Sequence, residues 1–204
     1  MKGTNHIITN VSTVIVIDSC FKFLAQKFDI KIYDKIHDVT TWYPAVDTSS
    51  QLSSSIFGIL VVAICAALFI TGSLLPDIDH KNSTIGKMVH IPVQHRTWTH
   101  TIWVVAVLAV LSVFVPCFFW LCLGYTLHIF YDSLSKGGIC WFYPISQYRK
   151  WTSGAQVKKN HKFYLYRTGE TSELITTVLV TLIGASTLIY NIYLTVSSFN
   201  SPSP

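Results

Sequence analysis

The stretch GSLLPDIDHKNS, residues 72–83, marks the point where a long apolar run meets a group of ionisable side chains. Asp77, Asp79 and His80 all fall within this stretch. The preceding residues 55–75 carry no charge and match the ~20 residues that a helix needs to cross a membrane. Charge beside a membrane segment is costly, so its presence predicts a functional site at this edge.

The composition of the whole chain favours an integral membrane protein. Half of the 204 residues are hydrophobic, 12% are charged, and the mean hydropathy is +0.44. A soluble domain carries about 25% charged residues. We expect one integral-membrane domain over residues 1–204. Its first apolar stretch is too short, and too close to Asp18, for a cleaved signal peptide.

Apolar segments predict an all-α, polytopic fold with five transmembrane helices. The predicted spans are residues 5–20, 55–75, 99–115, 117–132 and 173–195. The first span contains several polar residues, which we expect to face other helices rather than lipid. The segments 21–54 and 133–172 are predicted to be loops, and the first of these shows no recognisable pattern.

Residues 101–131 are predicted to form a hairpin. As a single helix this run would measure about 46 Å, which is too long for a simple crossing. Pro116 divides it into two halves of similar length. We therefore place a tight turn at Pro116, with both outer ends on one side of the membrane.

Alternation of these spans brings five helix ends to one side of the membrane. The ionisable residues at those ends are His6, Asp77, Asp79, His80, His95, His100, His128, Asp132 and Glu173. A lone His or Asp at a helix end is more often a hydrogen-bonded or capping residue, but so many at one side favour a metal site. His128 and Asp132 are four residues apart, so they share a helical face. His37, His90 and His161 fit no such pattern and are predicted to be ordinary surface or loop residues.

Imidazole and carboxylate donors together suit Zn²⁺, with Mn²⁺ or another first-row divalent ion as alternatives. The donors would suffice for between one and three ions. Eleven of the fifteen Lys and Arg residues fall on the same side as the predicted site. The positive-inside rule therefore predicts that this side faces the cytoplasm. A basic surface for lipid headgroups or an anionic substrate would give the same bias.

Several motifs of the chain resemble those of the bacterial LexA-regulated, membrane-bound metal-dependent hydrolases. They are NHII (5–8), LLPDIDHKNSTIGK (74–87), HRTWTH (95–100), GYTLHIFYDSLSKGG (124–138) and TGETSE (168–173). The resemblance implies a bacterial inner-membrane location. It also implies metal-site roles for His6, Asp77, His95, His100, His128 and Asp132, and extends them to Asp79, His80 and Glu173.

The order of these residues is also similar to that in zinc-dependent phospholipase C and the related single-strand nucleases. That similarity implies hydrolysis of a phosphoester by metal-activated water, with Asp77 orienting the water. Arg96 is predicted to grip a phosphate, because guanidinium offers a planar fork of donors. The alternative for Arg96 is a basic anchor at the start of the third span.

The expected partners are membrane lipids and an anionic, lipid-like substrate, either a phospholipid or a polyprenyl phosphate. The loop 141–151 combines aromatic and basic residues. We expect it to lie in the headgroup layer, and binding of single-stranded nucleic acid is the less favoured alternative. Two other classes of function remain open. A divalent-metal transporter usually places its ligands near the membrane midplane rather than at helix ends. A non-catalytic membrane protein would hold a structural metal with all ligand positions filled.

Overall fold

The computed structural model describes residues 2–28, 51–145 and 165–200. Its helices are α1 (Gly3–Phe28), α2 (Gln51–Leu74), α3 (Ile102–Phe114), α4 (Phe118–Leu134) and α5 (Thr171–Asn200). Two 3₁₀ turns, Leu75–Asp79 and Trp98–His100, follow α2 and precede α3. The described ranges contain no β-strand, only an isolated bridge between Ser135 and Tyr166. The predicted all-α fold is confirmed.

Within the described residues, three helical stretches are long and apolar enough to cross a membrane. They are Gly3–Leu24, Ile59–Asp79 and Thr171–Leu194. Helix α3 is also apolar but has only 13 residues. Large side chains on α5, such as Leu182 and Ile189, are exposed, as a lipid-facing surface requires. The chain is thus an all-helical membrane protein.

The predicted hairpin is present. Helix α3 ends at Phe114 and α4 begins at Phe118, so the break lies at Pro116. Val115 is extended, with φ −129° and ψ 92°. The ring of a proline disfavours helical geometry in the residue before it, which explains why α3 stops here.

Some helix boundaries differ from the prediction. Residues 21–28 were predicted to be loop but continue α1, and α2 begins at Gln51. The segment FKFLAQKF contains no Gly or Pro and many good helix formers, so the helix outlasts its apolar part. The third predicted span began at residue 99, whereas α3 begins at Ile102 after a 3₁₀ turn. Most of the loop 21–54, and residues 146–151 of the aromatic loop, lie outside the described residues.

Helices α2 and α4 cross at close range through two glycines. A Cβ atom at Gly72 would lie 2.2 Å from the Leu121 carbonyl oxygen. One at Gly124 would lie 2.3 Å from the Phe69 carbonyl oxygen. Small residues at such crossings let two membrane helices bring their backbones together. The crossing places Ser73 of α2 directly against α4.

Polar side chains attach α1 to its neighbours. The Asn10 amide donates to Ser73 Oγ at 3.0 Å and to the Gly124 carbonyl oxygen at 3.3 Å. At the start of α5, Glu173 Oε1 accepts hydrogen bonds from the Lys2 backbone N–H and the Asn5 amide, each at 2.6 Å. These contacts bring the beginning of α1 beside the ends of α2 and α4. The predicted meeting of helix ends on one side is confirmed.

Candidate metal centre

Four buried side chains form the centre of the site. They are Asp77, His100, His128 and Asp132, and one donor atom of each lies within 4.8 Å of the others. Asp77 comes from the 3₁₀ turn after α2, and His100 from the turn before α3. His128 and Asp132 lie one turn apart on α4, whose C-terminal half is buried. The residues predicted to share a helical face therefore point into the same cluster.

Two of the four distances between donor atoms match those of a metal site, and the other two are slightly longer. Nε2 of His100 lies 3.4 Å from Asp132 Oδ2, and Nε2 of His128 lies 3.5 Å from Asp77 Oδ1. The two crossed distances, His128 to Asp132 and His100 to Asp77, are 3.8 and 3.9 Å. Donors at about 2.0–2.2 Å from a tetrahedral ion are roughly 3.3–3.6 Å apart. The group can hold a divalent ion after only small adjustments.

Three buried imidazole nitrogens support this interpretation. Nε2 of His6, His100 and His128 has no hydrogen-bond partner among the described residues, and all three side chains are fully buried. A buried polar atom without a partner is rare because its desolvation is not compensated. Three of them around two carboxylates fit nitrogen donors directed at a cation.

His6 stands at the edge of the central group. Its ring stacks on that of His128, with centroids 3.7 Å apart and an interplanar angle of 13°. Its Nε2 lies 3.4 Å from Asp132 Oδ1, the carboxylate oxygen that faces away from His100. The structure therefore places His6 of α1 next to the four-residue group.

Hydrogen bonds fix the tautomers of His128 and His100. His128 Nδ1 lies 2.7 Å from the Ser73 carbonyl oxygen, which can only accept, so Nδ1 carries the proton. Thr99 Oγ1 donates to Asp79 Oδ2 at 2.6 Å and must then accept from His100 Nδ1 at 2.9 Å. In its neutral form, each ring therefore presents an unprotonated Nε2 to the cluster. Partners of this kind orient metal-binding histidines and raise their basicity.

Asp79 organises the segment that carries the two histidines of the HRTWTH motif. Its oxygens accept from His95 Nδ1 at 2.7 Å, from the Arg96 backbone N–H at 3.0 Å and from Thr99 Oγ1. Asp79, His95 and His100 also form a second group of potential ligands. Burial lowers the pKa of His95 below its ordinary value, although the Asp79 carboxylate opposes the shift.

Arg96 lies inside the site rather than on its surface. Only 6% of the residue is exposed, and its guanidinium donates to Asp132 Oδ1 and to Ser135 Oγ, each at 2.8 Å. Its backbone is left-handed, with φ 65°, which directs the N–H toward Asp79. A Cβ at Gly137 would lie 2.2 Å from Arg96 Nη1, so this glycine makes room for the guanidinium. A basic anchor in the headgroup layer would be exposed, so the burial of Arg96 does not support that alternative.

Three predicted metal ligands lie outside both groups: His6, which adjoins the first group, and His80 and Glu173. His80 is exposed, and its ring centroid is 4.9 Å from that of His95. Glu173 is buried, but its Oε1 holds the start of α1 and its Oε2 accepts from the Gly169 backbone N–H at 2.7 Å. The carboxylate of Glu173 therefore connects α5 to α1 instead of facing the cluster.

Sequence reasoning missed the residues that support the ligands. Ser73, Thr99 and Ser135 hold His128, His100 and Arg96, respectively. Tyr125 adds a hydrogen bond from its hydroxyl to the Thr99 carbonyl oxygen. Thr99 adjoins a predicted ligand, and Ser135 follows Asp132 by three residues, so proximity was the only available signal.

Comparison with known proteins gives a family for the chain. No curated protein and no solved structure matches it. A family model described as YdjM inner membrane protein matches residues 40–197, which include every predicted site residue except His6. The match covers more than half of the sequence, and the inner-membrane description agrees with the apolar helices. The chain belongs to the YdjM inner membrane protein family.

Proposed function

We propose that this protein is a membrane-embedded, metal-dependent hydrolase of a phosphoester in a lipid or polyprenyl phosphate. The observation that carries the proposal is the convergence of three unpartnered Nε2 atoms with Asp77 and Asp132 at the ends of membrane helices. Mixed histidine and carboxylate sets are the ligands of hydrolytic zinc sites.

The four-residue group would hold the metal, with His6 as a further donor. A bound divalent ion would supply Lewis acidity, which lowers the pKa of water toward ~7 and polarises a phosphoryl oxygen. Zn²⁺ is the best match to these donors, and Mn²⁺ is the next candidate. Placement at the cytoplasmic face of the inner membrane follows from the distribution of Lys and Arg and is part of the proposal.

The chain's own residues would hold and orient the reacting groups. Asp77 is the carboxylate proposed to orient the attacking water, since it lies in the group without a bond to Arg96. The Arg96 guanidinium holds Asp132 in place, and its positive charge offsets the negative charge of the carboxylate. Because both Nη atoms of Arg96 are bonded to protein, we assign this residue to positioning Asp132 rather than to gripping the phosphate.

The experiment that tests this function is a turnover assay on the metal-loaded protein in liposomes. Anionic phospholipids, polyprenyl phosphates and single-stranded nucleic acid should be compared, each with the wild type and with His100→Ala. We expect cleavage of a lipid phosphoester that His100→Ala abolishes. Val110→Ala is the matched control, because Val110 lies on the exposed face of α3 and belongs to neither group of potential ligands.

Two results would replace the proposal. Cleavage of nucleic acid alone would favour a nuclease. If no substrate is cleaved but the protein moves divalent ions across the liposome membrane, the transporter becomes the correct assignment. Metal bound tightly without either activity would indicate a structural site.

A further inference from the structure

The segment between the two 3₁₀ turns exposes an apolar tip. Met88 is 84% exposed, Val89 60% and Ile91 41%. These residues follow the site residues Asp77 and Asp79 in the chain and precede His95 and His100. Neighbouring apolar side chains on a water-exposed loop mark a surface that binds another molecule or a membrane.

Hydrogen bonds hold this segment against the site. The Asp77 carbonyl oxygen accepts from the His80 N–H at 3.0 Å and from Ser83 Oγ at 2.7 Å. Ser83 Oγ in turn accepts from the Gly86 N–H at 2.8 Å. At the far end, the Ile91 N–H donates to the Ile78 carbonyl oxygen at 3.2 Å. The apolar tip is therefore carried by the backbone of the turn that presents Asp77.

The charges around the tip are basic. Lys81 and Lys87 are both exposed and lie on either side of residues 82–86. Two exposed rings lie elsewhere in the described residues, since Trp98 in the second 3₁₀ turn and Phe142 after α4 are each 51% exposed. Exposed apolar side chains that follow lysines in the chain are typical of elements that lie in the interface of an anionic leaflet, and tryptophans are enriched at the same depth.

We propose that residues 81–91 form a membrane-docking segment in the headgroup layer of a leaflet that contains anionic phospholipid. Met88 and Val89 contact the upper acyl chains, while Lys81 and Lys87 contact lipid phosphates. Because the backbone of Asp77 is hydrogen-bonded to this segment, the segment holds lipid headgroups beside the candidate metal centre. This last consequence rests on the proposed function, whereas the docking itself does not.

A depth measurement tests the docking. The five native cysteines are replaced by alanine, and a spin label is attached to Met88→Cys or Val89→Cys in the full chain in phosphatidylcholine–phosphatidylglycerol vesicles. The label's accessibility to oxygen, which partitions into lipid, is compared with that to a water-soluble nickel chelate. We expect the oxygen-to-nickel ratio at both positions to be several-fold higher than at the matched control Asn82→Cys. A preference for nickel at both positions would overturn the proposal.

The charge of the lipid gives the second test. We expect the ratio at position 88 to fall when phosphatidylglycerol is omitted, and also in the Lys81→Gln, Lys87→Gln variant. Arg167→Gln removes an exposed charge that is paired with Glu170, and should leave the ratio unchanged. Equal oxygen-to-nickel ratios in vesicles with and without phosphatidylglycerol would overturn the proposal that the segment binds anionic phospholipid. If the labels favour oxygen but the protein has no hydrolase activity, only the proposed function is contradicted. If the protein is an active hydrolase but the labels favour nickel, only the docking proposal is contradicted.

Discussion

The two arms of the hairpin come from one apolar stretch, yet they have different surroundings. Helix α3 has no buried side chain, and residues such as Val113 and Phe114 are more than three-quarters exposed. Helix α4 has eight buried residues, all in its C-terminal part. Hydropathy alone predicts that both arms enter the membrane. The difference lies in Gly124 and the HIFYD motif, which let α4 pack against α2 and contribute two site residues.

The largest expected effect separates the arms by metal content. Changing His128 and Asp132 together to Ala should reduce the divalent metal bound to the purified protein to a background level, because two of the four central donors are lost. Val110→Ala on the exposed face of α3 is the matched control. Elemental analysis of protein in detergent measures the result. Unchanged metal in the double variant would remove α4 from the site.

A second prediction concerns packing. Gly124→Val should destabilise the protein by about 1–3 kcal/mol or more, because its Cβ meets the Phe69 backbone rather than a movable side chain. Ala109→Leu adds bulk to the exposed face of α3 and should change the stability by less than about 0.5 kcal/mol. Thermal unfolding in detergent provides the measurement. Equal effects on both arms would mean that α2 and α4 do not cross at this glycine.

A third prediction concerns the support of Asp132 on α4. Arg96→Gln should weaken metal binding by about 10–100-fold, the usual loss when a ligand's hydrogen-bonding partner is removed. The loss of metal affinity should be smaller in Arg96→Lys, because lysine keeps the positive charge but lacks the planar fork of guanidinium donors. Metal affinity is measured by competition with a chelator. Arg167→Gln, at an exposed ion pair, serves as the control. If Arg96→Gln binds metal as well as the wild type does, Arg96 does not position Asp132.

The smallest expected effect lies outside the hairpin. Glu173→Gln keeps one acceptor oxygen and replaces the other with an NH₂ group, so either the Gly169 N–H or the pair of donors from Lys2 and Asn5 loses its acceptor. The free energy of unfolding should fall by about 1–3 kcal/mol, while metal content should stay that of the wild type. Glu170→Gln, at an exposed carboxylate, is the control. Loss of metal in Glu173→Gln alone would make this residue a ligand and extend the site to α5.

The sequence allowed the prediction of those features that depend on local patterns. Pro116 ends a helix by its own geometry, and the spacing of His128 and Asp132 places them on one face wherever the helix lies. The roles of Arg96 and Glu173 depended on partners far along the chain. Arg96 contacts Asp132, 36 residues away, and Glu173 contacts Asn5, 168 residues away. No local pattern distinguishes a carboxylate that faces a metal from one that connects two helices.

The crossing of α2 and α4 was beyond prediction for a similar reason. Gly72 and Gly124 lie in apolar runs with no distinguishing pattern. Their role in the close approach of α2 and α4 is visible only in the packed structure. The αL backbone of Arg96 is equally hidden, because a non-glycine residue adopts it only where surrounding contacts require it.

The bond between Glu173 and the Lys2 backbone has a consequence for biosynthesis. The two residues are separated by 171 positions, so nearly the whole chain must leave the ribosome before they can meet. Until α5 is inserted, the beginning of α1 lacks these hydrogen bonds, and only contacts such as those of Asn10 attach α1 to α2 and α4. Contacts between distant parts of a chain form late, after the loops between them have closed. The connection between α5 and the start of α1 is therefore completed only at the end of synthesis, and a chain truncated before α5 would contain the four central donors but lack this connection.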